Sequence, residues 1–269
     1  MRYAFVAIAL YAATAHAEPR KRVATRERAA ASVEKPLVFI PFDAPKLPSM
    51  TLAAGTVQVQ TTLEMADQTS LAPDISIGMS DELTLSFITS SSALSGFRGS
   101  AGSGICISDG CDRRLVDGGV EALFSMHRGQ LPTAFDVGVL ASSLGPQHTD
   151  LKLGIKTKLV GRHAYLVASP NLWLALDDRH EDQLMVPIGA WLKLGNALAV
   201  GVGSGVKGQL AHLEKTWAVP AGGSIQVSPL KTLQLGASLV FGKALAGDAV
   251  MDAGFHAYAI QVWTTISSQ

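Results

Sequence analysis

Charged side chains in the middle of the sequence recur at the spacing of a β-strand face. Side chains two positions apart on a strand point to the same side, so such residues can form a charged surface. Opposite charges on neighbouring strands could line the constriction of a channel and select among solutes. They could equally pair with one another and close the interior of a narrow barrel. The residues predicted to share this inner face are Asp117, Glu121, Asp136, Lys152, Lys156, Lys158 and Lys193.

Two tryptophans fall on the same predicted face. Trp173 and Trp191 lie on strands that are neighbours in the predicted order. They could offer an apolar strip to a hydrophobic or aromatic solute, although aromatic side chains in such positions more often fill space. We therefore include both residues among those predicted to line a solute path.

The two cysteines are close together in a stretch rich in glycine and serine. Cys106 and Cys111 enclose the turn-forming sequence Ser108-Asp109-Gly110. In an oxidising compartment such a pair is expected to form a disulfide. The bridge would close a short loop, so its expected effect is to stiffen that loop rather than to stabilise the whole fold. A zinc site would need a second pair of ligands nearby, which the sequence does not offer.

No pattern of residues predicts catalysis. The histidines show no metal-binding spacing, and the sequence contains no nucleophile elbow, phosphate-binding loop or dinucleotide fingerprint. A lipid hydrolase with a His–Ser pair would be an alternative, but no such pair can be assigned from spacing. We therefore expect no enzyme activity, no metal and no cofactor.

These charges and aromatic residues depend on a two-residue rhythm that begins at Gly55 and continues almost to the C-terminus. The run from Leu151 to Leu159 alternates apolar residues with polar or small ones. Segments of about ten residues with this alternation, separated by turns, are typical of an all-β antiparallel transmembrane barrel. The rhythm predicts twelve strands, with ten or fourteen possible if segments merge or split. The predicted strands are at 55–66, 73–79, 83–90, 115–126, 134–143, 151–159, 163–176, 184–194, 198–206, 217–227, 233–241 and 254–266.

The lengths of the predicted connections and the position of the charged face both support a membrane barrel. Predicted connections are short at one end of the barrel and longer at the other, with the short end expected in the periplasm. Charges that faced lipid at mid-depth would cost about 2–4 kcal/mol each, so the charged face is predicted to line the lumen.

Pro170 and Pro187 lie inside neighbouring predicted strands, where each removes a hydrogen-bond donor. We expect a local bend or bulge there.

The N-terminal residues predict export. Arg2, an apolar stretch and the small-x-small sequence Ala15-His16-Ala17 together have the form of a cleaved secretory signal at residues 1–17. Residues 18–50 are basic and then rich in proline, which favours a flexible periplasmic segment, or alternatively a small plug. Residues 51–269 would form the barrel, located in the bacterial outer membrane.

Composition agrees with this location. Charged residues make up 16% of the chain, whereas soluble domains carry about 25%. The shortfall favours a surface in contact with lipid over a soluble β-sandwich. The net charge of zero gives no support for nucleic-acid binding. The partners we expect are the lipid bilayer and the outer-membrane assembly machinery, and a small solute could be a third.

The second and third predicted strands carry a resemblance to a known family. The sequence Pro73-Asp74-Ile75-Ser76-Ile77-Gly78-Met79-Ser80-Asp81-Glu82-Leu83-Thr84-Leu85 is similar to a hairpin of transporter-like outer-membrane proteins, including the family named for the phenol-degradation meta pathway. The resemblance implies an outer-membrane transporter and supplies no binding residues. We therefore expect a passive channel for small solutes. The alternative is a plugged barrel with a structural or surface-interaction role.

Overall fold

A computed structural model describes most of the predicted barrel. Its described residues are 49–66, 68–89, 93–94, 97–98, 104–109, 111, 118–142, 148–177, 181–248, 250, 254 and 258–268. Every described residue belongs to one compact unit of the chain, Val38–Gln269. The predicted export signal, residues 18–48 and Asp117 lie outside the described residues.

Twelve antiparallel strands form one closed barrel, as the sequence predicts. Each strand pairs with the next along the chain, and the first also pairs with the last. Strand β7 has two segments, and it is counted as one strand because both segments keep the same neighbours. The strands are β1 Val57–Met65, β2 Thr69–Ser80, β3 Leu83–Ile88, β4 Gly118–His127, β5 Thr133–Ser142, β6 His148–Val160, β7 Ala164–Ala168 with Asn171–Ala175, β8 Gln183–Leu194, β9 Leu198–Gln209, β10 Ala218–Leu230, β11 Leu233–Ala246 and β12 Tyr258–Ser267.

The side chains of every strand divide into an apolar outer set and a buried inner set. On β1, for example, Val57 and Val59 are exposed while Thr62 and Glu64 are buried. An outer surface covered with large apolar side chains suits lipid and would be unusual on a soluble monomer. This belt includes Ile75, Phe87, Val139, Ile155, Leu166, Ile188, Val202, Leu239 and Ile260, all of which are exposed.

The connections differ at the two ends of the barrel. One end, called here the turn end, carries the short connections 81–82, 128–132, 161–163, 195–197 and 231–232. The other, the loop end, carries the longer connections, including the one between Ile88 and Gly118. One prediction here is wrong, because β2 begins at Thr69 rather than near residue 73. The first connection at the loop end is therefore short and covers only residues 66–68.

The long connection between β3 and β4 extends the sheet next to β2. Ile105–Cys106 forms a short strand in which Ile105 lies opposite Leu71. Cys106 and Cys111 form the predicted disulfide, with their Cα atoms 6.0 Å apart. A separate two-stranded hairpin pairs Ala93–Leu94 with Phe97–Arg98.

Helical structure is confined to one connection among the described residues. A 3-10 turn at Leu210–His212 continues into a short α-helix at Leu213–Thr216, between β9 and β10. No helix in the described part of the chain is long and apolar enough to cross a membrane.

The two prolines interrupt pairing without producing the bulge that the sequence predicts. Ala168 lies opposite Ile188, and Asn171 lies opposite Met185, so both strands advance by the same number of residues. The Ser169 amide donates to the carbonyl of Pro187 over 3.1 Å, which holds the strands in register. Proline lacks an amide hydrogen, so β7 loses regular pairing at Pro170 but keeps its alternation of faces.

Two tryptophans inside the barrel lie against glycines on the adjacent strand. Trp191 on β8 is directly opposite Gly201, and Trp263 on β12 is directly opposite Gly236. A Cβ atom at Gly201 would lie 2.6 Å from the ring of Trp191, and one at Gly236 would overlap the ring of Trp263. Each ring therefore covers bare backbone, an arrangement that protects glycine in a sheet.

Replacing Gly236 by valine should destabilise the barrel, because the new side chain would displace the Trp263 ring. Overpacking of this kind costs about 1–3 kcal/mol. The free energy of unfolding, measured by urea titration of the protein refolded in detergent, should fall by that amount. The matched control is Gly223→Val on the exposed face of β10, where a Cβ would meet no atom closer than 3.9 Å. Equal losses in the two variants would contradict the packing role of Gly236.

Candidate functional site

The candidate site is a cluster of four charged side chains on the inner wall, called here the charge cluster. Glu121 comes from β4, Asp136 from β5, and Lys152 and Lys156 from β6. All four occupy inward positions in the alternation, as the sequence predicts. The register places them close together, because these three strands are consecutive in the barrel.

Each lysine of the charge cluster contacts both carboxylates. The Lys152 ammonium lies 3.1 Å from Glu121 Oε2 and 2.9 Å from Asp136 Oδ2. The Lys156 ammonium lies 3.2 Å from Asp136 Oδ2 and also pairs with Glu121 Oε1. Two positive and two negative charges thus neutralise one another. Of the two sequence-based interpretations, mutual pairing describes this geometry, while a role in solute passage stays a prediction.

Three members of the charge cluster are shielded from water, whereas the side chain of Lys156 is 27% exposed. The exposed fraction is 0% for Asp136, 7% for Glu121 and 8% for Lys152. Buried charges are costly unless they are paired and hydrogen-bonded. The short distances within the cluster supply that pairing.

Glycines on the inner face leave room for these contacts. Gly138 on β5 lies between Glu121 on one side and Lys152 on the other. Because residue 138 has no side chain, Lys152 can extend across β5 to reach Glu121. Gly154 lies opposite Asp136 in the same way, so no inward side chain of β6 separates the two lysines.

The other predicted lysines lie beside an aromatic pair near the turn end. The Lys158 ammonium is 4.2 Å from the centre of the Tyr165 ring, and that of Lys193 is 5.8 Å away. Tyr165 stacks on Trp191 with ring centres 5.9 Å apart. Ammonium groups at these distances are attracted to the electron-rich face of the ring.

The predicted strip formed by Trp173 and Trp191 does not exist. Trp173 lies opposite Gln183 near the loop end, whereas Trp191 lies opposite Tyr165 near the turn end. At ~3.3 Å per residue, Tyr165 and Trp173 are separated by about 26 Å along β7. Trp191 instead belongs to a buried cluster with Tyr165, Ala199 and Trp263.

Sequence reasoning missed two members of the inner wall. Trp263 was not among the predicted site residues, although it is buried beside Trp191 and Ala199. Gln261 joins β12 to β1, because its side-chain amide donates to Glu64 Oε2 over 2.7 Å. Ser238 in turn donates to Gln261 Oε1 over 3.0 Å. The alternation of β1, β11 and β12 marks these residues as inward, but only the register of the closed barrel brings them together.

The described residues contain one disulfide and no candidate metal site. No group of His, Cys, Asp or Glu side chains in the described ranges is arranged to hold a metal ion. The disulfide involves Cys106, which is 1% exposed, and lies near the loop end of β2. It is therefore separate from the charge cluster.

Comparison with known proteins identifies the fold. No protein-family model matches the chain, and no curated protein sequence matches it significantly. The structure of the KdgM porin is similar, with a TM-score of 0.55 and 8% identity, and covers 79% of this chain and 99% of KdgM. KdgM in complex with disordered oligogalacturonate gives 0.54 and 9%, and the NanC porin 0.52 and 10%, each with the same two coverages. The chain therefore shares the barrel fold of these porins, while its resemblance to the phenol-degradation family stays a prediction.

Replacing Asp136 by asparagine should strongly destabilise the barrel, because a buried lysine would lose its counter-charge. Removing one partner of a buried ion pair costs about 3–5 kcal/mol. The double variant Asp136→Asn/Lys156→Met restores neutrality and should recover part of this loss. Urea unfolding of the refolded proteins measures both effects, with Asp248→Asn on the surface as the control for charge removal alone. A double variant no more stable than Asp136→Asn would refute charge pairing as the source of stability.

Proposed function

We propose that this protein is an outer-membrane β-barrel that acts as a passive channel for small solutes. The observation that carries the proposal is a closed barrel with an apolar outer belt and a polar inner face. Such a barrel satisfies its backbone hydrogen bonds within the membrane and can offer a polar path through it. The sequence-based export signal supports the outer membrane as the location.

The proposed path passes between two different walls. The charge cluster lies on β4, β5 and β6, and β11 lies half-way around the barrel from β5. The wall on that side includes bare backbone on the strands next to β11. Gly203 on β9 and Gly222 on β10 both point inward and lie directly opposite each other. A solute would therefore meet fixed charges on one side and small residues on the other.

Similar structures support the passage of a small solute through the barrel, but they do not identify that solute. One of the similar KdgM structures was solved with disordered oligogalacturonate, and the resemblance of residues 73–85 implies a transporter. The proposal is therefore diffusion without catalysis. A phospholipid-hydrolysis assay tests the enzymatic alternative, and release of fatty acid by the refolded protein would require a different function.

The charge cluster should set ion selectivity through its net charge. Lys156→Gln would leave one uncompensated negative charge and should raise the potassium-to-chloride permeability ratio. Glu121→Gln would leave one positive charge and should lower the same ratio. We expect shifts of about twofold or more in opposite directions, measured as reversal potentials in planar bilayers under a KCl gradient. Lys231→Gln in an exposed turn is the control, and it should leave the ratio unchanged.

The alternative is a plugged barrel with a structural or surface-interaction role. The full burial of Asp136 favours it, because a wide aqueous path would expose this side chain. A refolded wild-type protein that inserts into bilayers and carries no current would overturn the channel proposal. Current that is unchanged by both Lys156→Gln and Glu121→Gln would place the path elsewhere in the barrel.

A further inference from the structure

Lys207 differs from the other inward lysines in its surroundings. It lies on β9 near the loop end, and its row of the barrel contains Met185 on β8 and Ala218 on β10. It continues the inward series of Gly203 and Gly205 on the same strand. Its side chain is half-buried, so the ammonium group is partly removed from bulk water.

No carboxylate compensates this charge within the described part of the barrel. Lys152 and Lys156 pair with Glu121 and Asp136, whereas Lys207 forms no ion pair or hydrogen bond with a described residue. The side chains of Met185 and Ala218, which share its row, offer no strong hydrogen-bond acceptor.

A half-buried ammonium that has no counter-charge among the described residues is stabilised by an anion. Removing a charge from water costs free energy unless an opposite charge and hydrogen-bond acceptors replace the lost hydration. An ammonium group has three donors, which suit the oxygens of a carboxylate or phosphate. Toward the turn end on the same strand, Gly203 lies opposite Gly222 and adds no side chain to the inner wall.

We propose that Lys207 forms an anion-binding site in the lumen near the loop end, which takes the carboxylate or phosphate group of a small solute. The channel would then favour anionic solutes at this step. This inference rests on the proposed function for its role in transport, whereas anion binding by Lys207 can be tested independently of transport.

The test measures anion binding to the refolded barrel in a neutral detergent. The chloride nuclear-resonance line should be broadened by the wild-type protein, and inorganic phosphate should reverse that broadening by competition. Lys207→Gln should reduce the phosphate-sensitive broadening at least about threefold, because the binding charge is lost. Lys207→Arg should retain it, and Lys231→Gln is the control. Because the detergent contains no charged lipid, headgroup phosphates cannot account for the effect.

The reversal potential in planar bilayers then separates the two proposals. A wild-type protein without current but with Lys207-dependent binding would overturn the channel and leave the anion site intact. A conducting protein whose Lys207→Gln variant keeps both the phosphate-sensitive broadening and the wild-type permeability ratio would overturn the anion site alone. Heat-dependent mobility in gel electrophoresis verifies that each variant is folded, and a variant that fails to fold is replaced by Lys207→Met.

Discussion

Closure of the barrel between β1 and β12 is the constraint on which the rest of this structure depends. The register runs from Gln58 opposite Ser267 to Met65 opposite Ile260. In a hydrocarbon environment, an open strand edge would leave amides and carbonyls without partners, at a cost of several kcal/mol for each group. Closure removes that edge and fixes two faces for every strand. The outer face must then be apolar, and polar groups on the inner face must find partners inside the barrel.

The charge cluster is one solution to this inner-face requirement, and it depends on register. Lys152 and Lys156 reach both acids because Gly138 and Gly154 leave space in the intervening positions. A slip of one residue would turn a strand's inner side chains toward lipid, where charges are costly. The cluster therefore opposes alternative pairings of β4, β5 and β6. The Gln261–Glu64 hydrogen bond does the same at the closing pair of strands.

The sequence predicts which face of a strand each side chain occupies, because alternation is a local pattern. It does not predict which side chains on different strands come into contact. The period of two assigned Glu121, Asp136 and Lys152 to one face without any knowledge of their partners. The contact of Trp263 with Gly236 depends on the register of β11 against β12, which no single strand encodes. The sequence predicts that β2 begins near residue 73, whereas the strand begins at Thr69. Pro73 is in fact tolerated inside β2, where it lies opposite Thr61.

The distribution of inner glycines explains why the two halves of the inner wall differ. Near the turn end, Gly201 and Gly236 are covered by tryptophan rings, and the wall there is aromatic. Farther toward the loop end, Gly203 and Gly222 face each other without such a ring between them. The same residue type therefore supports packing at one height and provides space at another. A solute on the proposed path would meet bare backbone at Gly203 and Gly222 and aromatic rings next to it on the side of the turn end.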